Sequence, residues 1–152
     1  MPAPNGDRPP QPQREFSVHS HILPGLDDGA RAMETSLEML ELAAAHGTTD
    51  IVATPHANSQ YAFDASTVTA LARELQSRTT TPVRVHTGCD FHLSYENLQL
   101  AYQDPRPFTI NGGPYLLVEF NDLAIPPNTE QIFDRLLSTG VVPIVTHPER
   151  NL

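Results

Sequence analysis

The sequence predicts an α/β protein with a largely parallel sheet, and three observations predict it. Short apolar runs of strand character alternate with stretches of helical apolar spacing along most of the chain. The stretches between the runs are long enough for the right-handed crossovers that parallel neighbours require. His19, His21, His56, Asp90, Glu119 and His147 stand at or just beyond strand-like runs, where parallel α/β folds gather their chemistry.

Taken in order, residues 1–15 carry Pro2, Pro4, Pro9, Pro10 and Pro12 among polar neighbours and read as a disordered tail. Phe16 opens a first strand over residues 16–18. Met33, Leu37, Leu40 and Ala44 then follow helical spacing, and Gly47 supplies the stop. Residues 50–54 form a strand apolar enough to be covered on both faces, which delivers Pro55 and His56. Val68, Leu71, Ala72 and Leu75 mark a second helix, with Asp64 or Ser66 as its cap. Residues 83–87 alternate as a strand closed by Gly88, and Asp90 follows directly. A short helix is expected at 94–102. Residues 108–110 and 115–120 read as two strands around the Asn111-Gly112-Gly113 turn. Pro126 and Pro127 break the chain before a helix capped at Asn128, with Ile132, Phe133, Leu136 and Leu137 on its apolar face. Gly140 ends that helix, and residues 141–146 are the last strand, carrying His147 at its end.

Composition narrows the function. A chain of 152 residues suits one domain with a substantial core. Eighteen acidic against nine basic residues give a net charge of -9, which argues against a nucleic-acid partner and favours cations at an acidic cleft. The single cysteine, Cys89, excludes an intramolecular disulfide and fits a reducing cytoplasm. No run reaches the roughly 18 apolar residues of a membrane span, and no apolar signal core opens the chain. The expectation is a cytoplasmic protein.

The chemistry centres on residues 19–29. Two histidines one residue apart on an extended segment point to the same side. Asp27 and Asp28 follow in a loop that Pro24, Gly25 and Gly29 keep irregular. Imidazoles and charge-balancing carboxylates, with no thiolate pattern, suit Mn, Fe or Zn, and more than one ion. Arg150, three residues past His147, is placed to bind a substrate phosphate in a bidentate contact. A cysteine-dependent phosphatase is set aside: its Cys-x5-Arg loop needs arginine where Tyr95 stands.

These residues resemble the polymerase and histidinol phosphatase (PHP) family, and more closely its bacterial manganese-dependent tyrosine phosphatases of the CpsB/YwqE type. The motifs that carry the resemblance are His-Ser-His-Ile-Leu-Pro-Gly-Leu-Asp-Asp-Gly at 19–29, Ala53-Thr54-Pro55-His56, Gly88-Cys89-Asp90, Leu117-Val118-Glu119 and Thr146-His147-Pro148-Glu149-Arg150. The first and last are the specific ones. The resemblance implies a distorted (β/α) barrel of the PHP type with up to three metal ions. It implies hydrolysis of phosphotyrosine by a metal-bridged hydroxide, on tyrosine kinases of polysaccharide export. By position, His19, His21, Asp28, His56, Asp90, Glu119 and His147 match metal ligands, and Arg150 matches the phosphate-binding arginine. Asp27 is an alternative to Asp28.

Other outcomes stay open at this stage: a different PHP phosphoesterase, such as a histidinol-phosphate phosphatase, or a metal-binding fragment without turnover. His46 and His86 match no ligand and read as structural, while His92 is unassigned. Asp90 stands where close relatives often carry glutamate, one methylene longer. The family pattern continues past His-Pro-Glu-Arg into further β/α units and an Asp-x-His pair, so residues 16–152 correspond to the N-terminal part of such a domain. An open last strand would also favour homo-oligomers.

Overall fold

A computed structural model describes residues 15–121 and 124–151. Apart from Glu15, the tail expected at 1–15 lies outside the described residues. The chain runs β1 (Glu15–Ser17), α1 (Met33–Ala45), β2 (Thr48–Ala53), β3 (His56–Ala57), α2 (Ala65–Arg78), β4 (Arg84–Thr87) and β5 (Asp90–His92). It continues through α3 (Tyr95–Gln103), β6 (Tyr115–Glu119), α4 (Thr129–Ser138) and β7 (Val142–Val145). Every ladder is parallel, as the alternation of strands and helices requires.

The strands form two sheets, ordered β1-β2-β4 and β3-β5-β6-β7. The break falls at two positions where the ladder cannot run straight. Pro55 has no N–H to donate, and Gly88 sits so close to β2 that a Cβ there would meet Val52 Cγ1 at 3.0 Å. Hydrogen bonding nevertheless carries across the break, from Gly88 N–H to Ala53 O at 2.9 Å and from Asp90 N–H to Pro55 O at 3.0 Å. The strands after the break belong to the second sheet. His56 opens β3 and Asp90 opens β5, just past the C-terminal ends of β2 and β4.

Each sheet carries its own core. Ile22, Leu23, Leu40, Ile51, Val68, Leu75 and Val83 pack beneath the first. Phe91, Leu98, Leu116, Val118, Ile132, Leu136 and Val141 pack beneath the second. Phe63 touches both clusters, tying one body together. Each such side chain fully buried contributes about 1.5–3 kcal/mol, so the helices are held by their apolar stripes more than by their ends. α2 has a cap in the expected place: Asp64 accepts from Thr67 N–H at 2.8 Å, and Ser66 donates to Asp64 instead of capping. α4 begins after Asn128, but that side chain makes no capping bond.

One expected strand is absent. Phe108 ends one 3-10 turn, Arg106–Phe108, Ile110 opens another, Ile110–Gly112, and no hairpin joins them to β6. Pro107 denies the segment a ladder donor, Arg106 folds back onto Asp104 through two bonds of 2.8 Å, and Asn111 adopts φ 53°. The apolar residues serve the core instead, with Phe108 packed edge-on against Phe91. Asn111 then helps to close the outer edge of β4. Its Oδ1 accepts from Thr87 N–H, while Gln76 accepts from Val85 N–H and donates to Val83 O. Among the described residues no helix is long and apolar enough to cross a membrane.

Candidate metal centre

The chain after β1 stays extended through His19-Ser20-His21, and Thr54 fixes it from β2's end. Thr54 Oγ1 accepts from Ser20 N–H at 3.0 Å, and its own proton is directed to Ser20 O at 3.3 Å. The remaining contact, 2.9 Å to His19 Nδ1, fixes the plane of that ring. His19 Nε2 is turned into the site, 3.0 Å from His147 Nε2 and 3.9 Å from Asp90 Oδ2. Burial, together with the neighbouring imidazoles, outweighs the pull of Asp90 and lowers the His19 pKa, favouring the neutral ring that a metal takes.

His21 is fixed by the same logic. Its Nδ1 lies 2.7 Å from Asp27 Oδ2, so Nδ1–H donates and Nε2 faces the site. Asp27 is wholly occupied in this role, since it also accepts from the backbone N–H of Gly29 and His56, both at 3.0 Å. Burial raises the Asp27 pKa, but these donors outweigh it and the carboxyl stays below its ordinary range. Gly29 permits the approach: a Cβ there would overlap His21 O and Cβ. Asp28 is the more exposed of the pair and puts Oδ1 3.6 Å from His56 Nε2.

His56 stands in the middle, both ring nitrogens facing carboxylates. Nδ1 is 3.2 Å from Asp90 Oδ2 and 3.4 Å from Glu119 Oε2. Asp90 is fully buried, and Thr146 donates to its Oδ1 at 3.0 Å. Glu119, at the end of β6, accepts from Arg150 Nη1 at 3.0 Å through Oε1. Burial and then the Asp90 charge raise the Glu119 pKa, whereas Asp90, with help from Glu119 and Asp27, raises the His56 pKa against the effect of burial. His147 reaches the site through a left-handed backbone, φ 47° and ψ 44°, immediately before Pro148. That conformation is disfavoured for a non-glycine residue, and such strain is found where a side chain must be aimed.

The structure thus gathers all seven residues that the sequence nominated as ligands. Donor atoms of His19, Asp90 and His147 lie within 4.8 Å of one another, as do those of His21, Asp28 and His56, and those of His56, Asp90 and Glu119. Two buried atoms test the fit of a cation. His56 Nδ1 and Asp90 Oδ2 are buried and have no hydrogen-bond partner, although they lie 3.2 Å apart. A buried carboxylate oxygen without a donor is costly, and a divalent ion supplies what is missing. The mixed imidazole and carboxylate donors fit such an ion.

Beside the cluster lies a cleft of about 300 Å³ with His56, Glu119 and Arg150 at one end and Asn58, Gln60, His92 and Asn121 along its walls. A second cavity of about 310 Å³, between α2 and the 3-10 turns, contains no imidazole or carboxylate. Sequence reasoning missed Thr54 and Thr146, which bond the donors, and Tyr61, whose ring is stacked on His56. Threonine at a strand end carries no signal of its own, and Tyr61 becomes relevant only once His56 is placed. His86 and His46 lie apart, the first bonded to Asp50 and the second to Leu42 O.

Comparison with known proteins places this geometry. The chain is 33% identical over 138 residues to the putative tyrosine-protein phosphatase CapC of Staphylococcus aureus, a match covering 88% of this chain and 54% of that protein. It is 33% identical over 140 residues to the tyrosine-protein phosphatase YwqE of Bacillus subtilis, covering 90% and 55%. The chain spans about half the length of the curated relatives it matches. Crystal structures described as YwqE from Bacillus subtilis and CpsB from Streptococcus pneumoniae, unique metal-dependent tyrosine phosphatases, include a chain that superposes with a TM-score of 0.82 at 32% identity. That match covers 90% of this chain and 57% of the other. A family model for capsular polysaccharide synthesis, CpsB/CapC, matches residues 16–152. The chain belongs to the CpsB/CapC family.

Proposed function

We propose that this chain carries out metal-dependent hydrolysis of phosphotyrosine in proteins, with manganese as the ion. The observation that supports this most is the pair of unpartnered buried atoms, His56 Nδ1 and Asp90 Oδ2, among converging donors beside a cleft that contains Arg150. His19, His21, Asp28, His56, Asp90, Glu119 and His147 would hold up to three ions. Bound ions would lower the pKa of a water and offset the charge of the phosphoryl group.

The remaining work falls to the chain's own residues. Arg150, half exposed and anchored by one bond to Glu119, offers its other guanidinium N–H groups to the phosphate oxygens. Thr54 and Asp27 hold the rings of His19 and His21 so that Nε2 turns inward. The cleft walls would take the tyrosine side of the ester. Water adds at phosphorus, the bond to the phenolic oxygen breaks, and that oxygen leaves with a proton. The relatives' names support a phosphotyrosine protein as the substrate, and the family description supports a role in capsular polysaccharide synthesis. Within that reading the substrate is a tyrosine kinase of polysaccharide export and the compartment is the cytoplasm. The lone, buried Cys89 suits that compartment.

The test is phosphate release from a phosphotyrosine peptide with manganese, with a chelator control and histidinol phosphate alongside. Chelator-sensitive turnover of the peptide in preference to histidinol phosphate is expected. Preference for histidinol phosphate would make the chain a different phosphoesterase, and metal binding without release of phosphate would remove the catalytic reading.

A further inference from the structure

The four imidazoles of the centre are not held in the same way. His19 Nδ1 is fixed by Thr54 at 2.9 Å, His21 Nδ1 by Asp27 at 2.7 Å, and His147 Nδ1 lies 3.3 Å from Glu149 Oε1. Each thus turns one nitrogen outward to a polar partner, which is how ligating histidines are usually oriented. His56 cannot do this. Its Nε2 faces Asp28 and its Nδ1 faces Asp90 and Glu119, so neither nitrogen remains for an outer partner. It is also the imidazole shared by two of the three donor groups, so its plane matters to both.

We propose that Tyr61 is the positioning residue for His56, replacing the missing hydrogen bond by ring stacking. The two rings lie nearly parallel, 13° apart, with centroids separated by 5.8 Å. Tyr61 is itself held in place. Asn58 Oδ1 accepts from the N–H groups of Gln60 and Tyr61 at 2.9 Å each, and Asn58 N–H donates to Tyr61 O at 3.1 Å. Asn58 and Gln60 also line the cleft, so the loop that walls it sets the plane of the central imidazole. Removing the ring would let His56 rotate and loosen both groups that use it. Among the described residues the hydroxyl is bonded to Gln60, at 3.2 Å.

The inference rests on the metal reading of the site, and the experiment separates the two. Manganese affinity is measured by calorimetry on the full chain, with Tyr61→Phe, Tyr61→Leu and His56→Ala. Cobalt(II) absorption reports the donor geometry, and imidazole NMR of the metal-free protein reports the ring contact. Tyr61→Phe should stay within about twofold of the parent. Tyr61→Leu, which keeps apolar bulk, should lose about 10-fold, the lower end of the range for residues that orient ligands. It should also alter the cobalt spectrum and remove the ring-current shift on His56, with the melting temperature of the metal-free protein unchanged. If the parent binds and His56→Ala weakens binding, but Tyr61→Leu matches Tyr61→Phe in affinity and spectrum, the positioning role is wrong. If the parent takes up no metal, the metal reading itself falls, and this inference with it.

Discussion

Two buried aspartates, Asp50 and Asp90, each lie against histidine, and their surroundings differ in one decisive respect. Both Asp50 oxygens are saturated. Oδ1 accepts from Arg84 Nε and His86 Nε2 at 2.8 Å each, and Oδ2 accepts from Arg84 Nη2 and Thr49 Oγ1 at 2.9 Å each. Arg84, followed by His86, holds the Asp50 carboxyl well below the usual carboxylate range. Asp90 has one satisfied oxygen, bonded by Thr146, and one that meets only imidazoles. The Asp90 charge in turn raises the pKa of a second carboxyl, Glu119, which is the one that Arg150 engages. The first site is a completed ion pair, since a guanidinium stays charged at any working pH. The second lacks a permanent cation. Proximity of histidine to aspartate therefore does not distinguish structure from chemistry, and the accounting of donors does.

The largest effect that sharpens this contrast is on metal binding. His19→Ala combined with His21→Ala should weaken manganese binding at least about 100-fold, since orienting partners alone are worth about 10–100-fold. His86→Ala should leave binding unchanged. Metal analysis after dialysis reads both, and equal losses would erase the distinction between the two aspartates. Next comes Arg150→Ala, which should cut phosphotyrosine turnover about 100-fold, comparable to removal of one donor to a developing oxyanion. Its manganese affinity should move by less than about threefold, because a guanidinium does not ligate a cation. Loss of metal with retained turnover would reverse the assignment.

How much of this was legible in the sequence follows from the same contrast. The donor residues stood out because histidine and acid recur where apolar runs stop, a coincidence that packing alone does not require. The outer contacts were not visible, since Thr54 and Thr146 look like ordinary strand residues and act only through partners 35 and 56 positions away. Asp27 and Asp28 were inseparable until the fold turned one toward three donors and left the other near His56. Pro55 and Gly88 read as strand ends, and the strands do end there, but the short strands that follow them and belong to a second sheet were missed. The strand expected at 108–110 failed because Phe108 and Ile110 were weighed for apolarity, while Pro107 and the turn at Asn111 decide the backbone.

The smallest expected effect, on stability, compares the aspartates directly. Asp50→Asn keeps the shape but leaves Arg84 without its anion. Arg84 is largely exposed, and solvent screening discounts the pair, so a fall of about 3–5 °C in melting temperature is expected at neutral pH. The pH dependence has a definite sign. A depressed folded pKa means that the ionised carboxylate stabilises the fold, fully above the unfolded value of about 3.9, and that this contribution is lost as pH falls toward the folded value. The gap between parent and Asp50→Asn should therefore be constant from about pH 7 to pH 5 and close in acid. Asp90→Asn, melted in chelator at neutral pH, should cost less than Asp50→Asn, because no arginine loses its anion there and Thr146 can still donate to the amide oxygen. Adding manganese should separate them the other way. At about 100 times its dissociation constant a ligand stabilises the folded state by about 2.7 kcal/mol. That gain should raise the melting temperature of the parent and of Asp50→Asn, while Asp90→Asn shows little of it. Two variants that melt alike in chelator and respond alike to manganese would mean that Asp90 is another structural ion pair.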